Sequence, residues 1–130
     1  MSDAQVLHRV VIADDNPAFL AAAANYVAGI PGYVLVGTAS SAVEALALVE
    51  AAGPDLLLLD LGLAPARGLE LLRSVKACPH APAVVALALF HTQETAARAR
   101  SAGADGLIGK EAFVTGLAEI LPRLFVVRAA

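Results

Sequence analysis

The sequence predicts an α/β protein, a five-stranded parallel sheet with helices on both faces. Three observations predict it. Five short apolar runs alternate strictly with five helical segments, the order that parallel strands joined by crossovers require. The strand runs are apolar or β-branched without alternation, as in strands buried on both sides. No linker, repeat or low-complexity stretch divides the 130 residues, which suffice for one core, so a single domain over 1–130 is expected.

"RVVIAD" (9–14) is the first strand. In "NPAFLAAAANYVAGI", Asn16 suits an N-cap and Pro17 the first helical position, where a missing N–H costs little. Phe19, Ala23, Tyr26, Val27 and Ile30 then share one helical face, and Pro31–Gly32 end the helix. "YVLVGTA" (33–39) is the second strand. The next helix opens with a capping-box pattern, Ser41 to Glu44, and stops at Gly53–Pro54. "DLLLLD" (55–60) is a third strand and "GLELLRSVKA" (68–77) a third helix. "AVVALAL" (83–89) is the fourth strand, followed by a helix from about Thr92 to Ala102. "GLIG" (106–109) is the fifth. The last helix carries Phe113, Leu117, Ile120, Leu121 and Leu124 on one stripe, and Pro122 within it is expected to kink or interrupt it.

Composition narrows the function. Apolar residues make up 58% and charged residues 16%, which argues against disorder, and much of the apolar share is alanine, a helix former. A net charge of −3 argues against nucleic-acid binding as the main task. Cys78 is the sole cysteine, so no internal disulfide forms, which fits a reducing compartment. The N-terminus lacks the basic-then-apolar pattern of a secretion signal, and no apolar segment reaches bilayer length. A soluble, cytoplasmic domain is expected.

The chemistry-bearing residues lie at strand ends. Asp14 and Asp15 close the first strand, Asp60 closes the third, and Lys110 follows the fifth. In open α/β sheets, ligands bind beyond the carboxyl ends of the strands, where strand order reverses. If strands one and three are neighbours, three carboxylates and one ammonium converge there. Like charges at such spacing disfavour one another's ionised forms, and a small hard cation removes the conflict. Mg²⁺ suits the set, since it takes one or two carboxylates, several waters and a phosphate oxygen. A carboxylate can also attack a phosphoryl group to give an aspartyl phosphate, whose oxygens Lys110 could neutralise.

"ADD" at 13–15, "LLLLDLGLAPARGLELL" around Asp60 and "SAGADGLIGKEAF" around Lys110 resemble, in order and spacing, the receiver domain of bacterial two-component response regulators. The likeness runs from about Arg9 to Phe125. It is greatest to receivers that precede a helix-turn-helix output domain, through "AGADGLIGK" and the absence of Pro after Lys110. The resemblance implies a flavodoxin-like sheet of order 2-1-3-4-5. It implies Asp60 as phosphoryl acceptor, Asp15 as a direct and Asp14 as a mainly water-mediated Mg²⁺ ligand, the Gly62 carbonyl as a further ligand, and Lys110 as the phosphate contact. Implied partners are a sensor histidine kinase or phosphotransfer protein and a downstream target or DNA-binding output domain. The resemblance admits a homodimer, and the domain itself would bind neither nucleic acid nor membrane. It would be no enzyme beyond Mg²⁺-dependent self-phosphorylation and dephosphorylation.

Three departures accompany it. Receivers usually carry Thr or Ser at the end of strand four, where this chain has Ala88, and an aromatic residue in strand five, where it has Leu107. The Pro usual four residues after the acceptor comes one later, as Pro65 after Ala64. Acceptor and metal residues are kept and both switch positions are not, so a pseudo-receiver, a phosphorylation-independent interaction module, is the alternative. A phosphatase of the haloacid dehalogenase type would need Asp where Gly62 stands. "GADGLIGKE" is not a P-loop: Gly103 and Gly109 are one step too far apart and Glu111 replaces Ser or Thr. His8, His80 and His91 lack metal-ligand spacing and Cys78 reads as filler. Leu89, Phe90 and Leu107 read equally as a partner surface or as simple packing.

Overall fold

The computed structural model describes residues 7–63 and 67–125. Five parallel strands alternate with five α-helices: β1 His8–Ala13, α1 Pro17–Ala28, β2 Tyr33–Ala39, α2 Ala42–Ala52, β3 Leu56–Asp60, α3 Arg67–Lys76, β4 Ala83–Ala88, α4 Gln93–Ser101, β5 Gly106–Gly109 and α5 Phe113–Leu124. A 3-10 turn, Lys110–Ala112, joins β5 to α5. The strand order is 2-1-3-4-5, so the direction of winding reverses between β1 and β3. The expected departure at Ala64–Pro65 lies outside the described residues.

The sheet is buried on both faces because the inner stretches of its central strands, Val10–Ala13, Leu56–Leu59 and Val84–Ala88, are apolar at every position. Val10 and Ile12 of β1 and Leu56 and Leu58 of β3 point to one side, where α1 and α5 supply Ala23, Val27, Phe113, Leu117 and Leu121. Val11, Ala13, Leu57 and Leu59 point to the other, against Ala45 and Val49 of α2 and Leu71, Leu72 and Val75 of α3. Leu57, Leu58 and Leu59 are fully buried. Each contributes roughly 1.5–3 kcal/mol relative to exposure, so the leucine run is the structural floor beneath Asp60.

Local chemistry agrees with the element ends, with two corrections. Ser41 caps α2 by accepting from the Glu44 N–H (3.2 Å), but Glu44 Oε1 reaches the N–H of Ser40 (2.9 Å) instead of closing the box on Ser41. The Ser40 hydroxyl also donates to that oxygen (3.0 Å), and both bonds hold the Glu44 carboxyl below its usual range. Pro122 does not interrupt α5, which continues through Leu124. Only Arg123 and Leu124 follow Pro122 in the helix, so the bond that its missing N–H removes lies near the end and the rest of α5 stays intact. Gly53 ends α2 at φ 56°, a left-handed turn that glycine adopts without cost, and its N–H donates to the Val49 carbonyl (3.1 Å).

Candidate functional site

Asp14 follows the last residue of β1, and its N–H still pairs with the Ala39 carbonyl of β2 (3.0 Å). Asp60 ends β3, aligned with Leu87 of β4. Since β1 and β3 are neighbours, the two acids stand side by side at the carboxyl edge, at the point where strand order reverses. Both are buried, whereas Asp15 is exposed. One carboxylate oxygen from each of the three lies within 4.8 Å of the others. Among the described residues, no other set of three or more acidic, His or Cys side chains comes this close.

Lys110 completes the cluster from the end of β5. Its Nζ lies 2.6 Å from Asp14 Oδ2 and 3.4 Å from Asp60 Oδ2. Each acid also turns one oxygen back onto its own loop: Asp14 Oδ1 accepts from the Asn16 N–H (2.8 Å) and Asp60 Oδ1 from the Gly62 N–H (3.0 Å). The buried Asp14 Oδ2 has the Lys110 ammonium as its one close counter-charge and takes no further hydrogen bond from the described residues. Burial pushes the Asp60 carboxyl above its ordinary range, and the Asp14 charge adds to the push. The Gly62 N–H and Lys110 oppose it without reversing it.

The charge count gives the cluster its meaning. Three carboxylates against one ammonium leave two negative charges uncompensated when all are ionised. A divalent cation with oxygen ligands supplies that deficit. The residues present therefore fit Mg²⁺.

The structure brings Asp14, Asp15, Asp60 and Lys110 together, as the sequence predicts, with Gly62 two residues past Asp60. Ala88 ends β4 and is nearly buried; Leu107 sits half-buried in β5 beside Ala86. Leu89 and Phe90 are 69% and 60% exposed, while Leu107 is not, so the three do not form one open patch. His8 stacks between Tyr33 and Phe125, with ring centroids at 5.2 and 4.4 Å. The Cys78 thiol donates to the Ser74 carbonyl (3.3 Å) at the end of α3.

Three contributions to the site escaped sequence reasoning. Asn16 caps α1 through the Phe19 N–H (3.0 Å), as expected, but its own N–H also holds Asp14, which was not. The Phe19 ring, read only as core, lies beneath the Lys110 ammonium at 4.5 Å. Gly68 packs so tightly on Leu61 that a Cβ there would collide with the backbone just after Asp60. Gly68 was legible as a glycine at a helix start; the other two needed the fold.

A doubly covered parallel sheet with buried acids and a lysine at its switch point defines a doubly wound α/β domain with a charged site at its carboxyl edge. The chain belongs to the response regulator receiver domain family, whose family model matches residues 10–121. It is 39% identical over 109 residues to protein-glutamate methylesterase/protein-glutamine glutaminase 2 of Cereibacter sphaeroides, covering 83% of this chain and 30% of that protein. It is 28% identical over 102 residues to the nitrate/nitrite response regulator protein NarL of Escherichia coli, covering 78% and 47%. Among solved structures, a LuxR-family two-component response regulator from Aurantimonas sp. SI85-9A1 superposes with a TM-score of 0.78 at 26% identity, covering 90% of this chain and 86% of that one. The chain thus spans half or less of the curated relatives named here.

Proposed function

We propose that this receiver accepts a phosphoryl group on Asp60, with Mg²⁺ held by Asp14, Asp15, Asp60 and the Gly62 carbonyl. The observation that carries the reading is the buried Asp14–Asp60–Lys110 cluster with its two uncompensated negative charges. Asp15 would hold the ion directly and Asp14 mainly through water. The ion, when bound, would supply the positive charge under which Asp60 is ionised, against the bias that burial imposes on its side chain. The Asp60 carboxylate then attacks phosphorus, the bond from phosphorus to the donor's leaving atom breaks, and the donor departs. Lys110 meets a phosphoryl oxygen as a point charge.

The donor is a phosphohistidine on a sensor kinase or phosphotransfer protein, and the recipient of the signal is a protein target or an attached output domain. The chain acts as a single receiver domain in the cytoplasm and works on its own side chain rather than on a turned-over substrate. Incubation with acetyl phosphate and Mg²⁺ followed by mass spectrometry tests this. A gain of one phosphoryl group is expected; an unmodified mass at full Mg²⁺ would overturn it.

A second reading, an interaction module indifferent to phosphorylation, is favoured by one pair of observations. Ala88 offers a methyl group where receivers carry a hydroxyl, and Leu89 and Phe90 beside it are exposed.

A further inference from the structure

We propose that Phe19 is a positioning residue for Lys110, its ring face holding the ammonium between Asp14 and Asp60. What the lysine does rests on the receiver reading above; where the ring holds it does not.

Lys110 carries its charge on a flexible four-carbon stem, and the site needs that charge at one place. Its Nζ stands 2.6 Å from Asp14, 3.4 Å from Asp60 and 4.5 Å from the centroid of the Phe19 ring, over the face. An aromatic face is the negative side of a quadrupole and attracts a cation, more strongly when water is excluded. The Lys110 side chain is only 16% exposed, so this attraction is little screened. A fourth carboxylate at position 19 would also hold the ammonium. It would, however, occupy an N–H donor and deepen a charge excess the site already has. The ring leaves the donors free for carboxylate and phosphate.

The ring is itself held in place. It meets Phe113 edge to face (centroids 5.3 Å, 81°), and Phe113 meets Tyr26 in the same manner (6.1 Å, 73°). Phe113 is the buried first residue of α5, three positions after Lys110. The Phe19 backbone is fixed by its N–H donating to Asn16 Oδ1, and Asn16 in turn donates to Asp14 Oδ1. Asp14, Asn16, Phe19 and Lys110 therefore form a closed circuit, in which the loop that presents the acids also sets the ring under the lysine.

The full chain has two lysines, Lys76 and Lys110, so the Lys110 methylene signals are assigned by comparison with Lys110→Gln. Ring currents should move the native Lys110 Cε–H signals upfield of those of Lys76. Phe19→Leu should abolish the shift and Phe19→Tyr, which keeps the ring and its packing, should retain it. In parallel, beryllofluoride affinity at fixed Mg²⁺ should fall by about two- to fivefold in Phe19→Leu, the worth of a modest cation–π contact. It should stay native in Phe19→Tyr, and Phe19→Leu should have no further effect in a Lys110→Gln background. Unshifted native methylene signals, or an equal loss in the Lys110→Gln background, would overturn the proposal. A native chain that binds no beryllofluoride would instead overturn the reading of Asp60, and the methylene shifts would still decide the placement of Phe19.

Discussion

The two ends of the sheet use the same chemistry to opposite ends. At the amino edge, Asp55 precedes β3 and Asp105 precedes β5. Asp55 Oδ2 accepts from the Arg9 N–H (2.8 Å), and Asp105 Oδ2 from the Val84 N–H (2.8 Å), each tying its own strand to the neighbouring one. Arg9 and Lys76 add a charge to the clamps: Arg9 donates to the Ala52 carbonyl (2.7 Å), and Lys76 to Asp105 (3.0 Å) and the Pro82 carbonyl (3.1 Å). These acids are exposed and their partners come from the chain. At the carboxyl edge, Asp14 and Asp60 are buried and outnumber their cation. An exposed, satisfied acid contributes to the fold. A buried, unsatisfied one costs stability, since removing charge from water is unfavourable unless fully compensated. The difference separates charges that tie strands together from charges that the fold itself does not compensate.

The largest expected effect is at Asp60. Asp60→Asn should abolish phosphoryl labelling by acetyl phosphate altogether; a residual phosphorylated species would move the acceptor elsewhere. The same variant tests the cost of the buried charge. Because the folded Asp60 carboxyl titrates above its ordinary value of 3.8, the folded state binds its proton more tightly than the unfolded chain. The stability this provides is full below 3.8 and is lost as pH rises through the folded value. In metal-free buffer, Asp60→Asn should therefore melt higher than the native chain at neutral pH. The gap should close as pH falls toward 3.8, and a gap that widens on acidification would refute the sign.

Next come the two neighbouring acids. Removing Asp15 should weaken Mg²⁺ binding and phosphorylation together, and by more than removing Asp14, although Asp14 is the more deeply buried. Titration of each alanine variant with Mg²⁺ decides this; equal or reversed effects would show that the direct and water-mediated roles are exchanged.

A smaller effect is expected at Ala88. A conformational response requires a group that binds the phosphoryl oxygens better in one state than in the other, and a methyl group has no donor to offer. The missing hydroxyl is worth about 1.5–3 kcal/mol as a charge-assisted hydrogen bond. That compares with the about 1–3 kcal/mol of a typical allosteric coupling. Amide shifts on adding beryllofluoride and Mg²⁺ should be modest across residues 88–107 in the native chain and larger in Ala88→Thr. Native shifts as large as the variant's would mean that another group carries the response.

The smallest effect belongs to the amino edge. Lys76→Met should cost about 0–1 kcal/mol in denaturant unfolding, as half-exposed ion pairs do, and should leave the rate of labelling unchanged. A labelling defect would erase the contrast between the two edges.

How much of this was legible without coordinates follows from the range of each interaction. Strand and helix order were written in local patterns: the unbroken "LLLLD", Asn16–Pro17 opening α1, Gly53 closing α2. Burial on both faces makes strands uniformly apolar, and caps act within a few residues, so both leave marks in a short window. Asp14, Asp15, Asp60 and Lys110 were legible because strand ends in such a sheet gather at one edge. What tertiary structure alone decided lies across the fold. It determined that Lys110 sits nearer to Asp14 than to Asp60, that Asp14 turns its other oxygen back onto the Asn16 N–H, and that Phe19, one apolar residue on an apolar helix face, turns its ring under the ammonium. It also sent Glu44 to Ser40 where the pattern pointed to Ser41. The physical reason is common to all four: which partner a side chain meets depends on rotamer and packing between segments far apart in sequence, or on backbone angles at a turn, and residue type and spacing record neither.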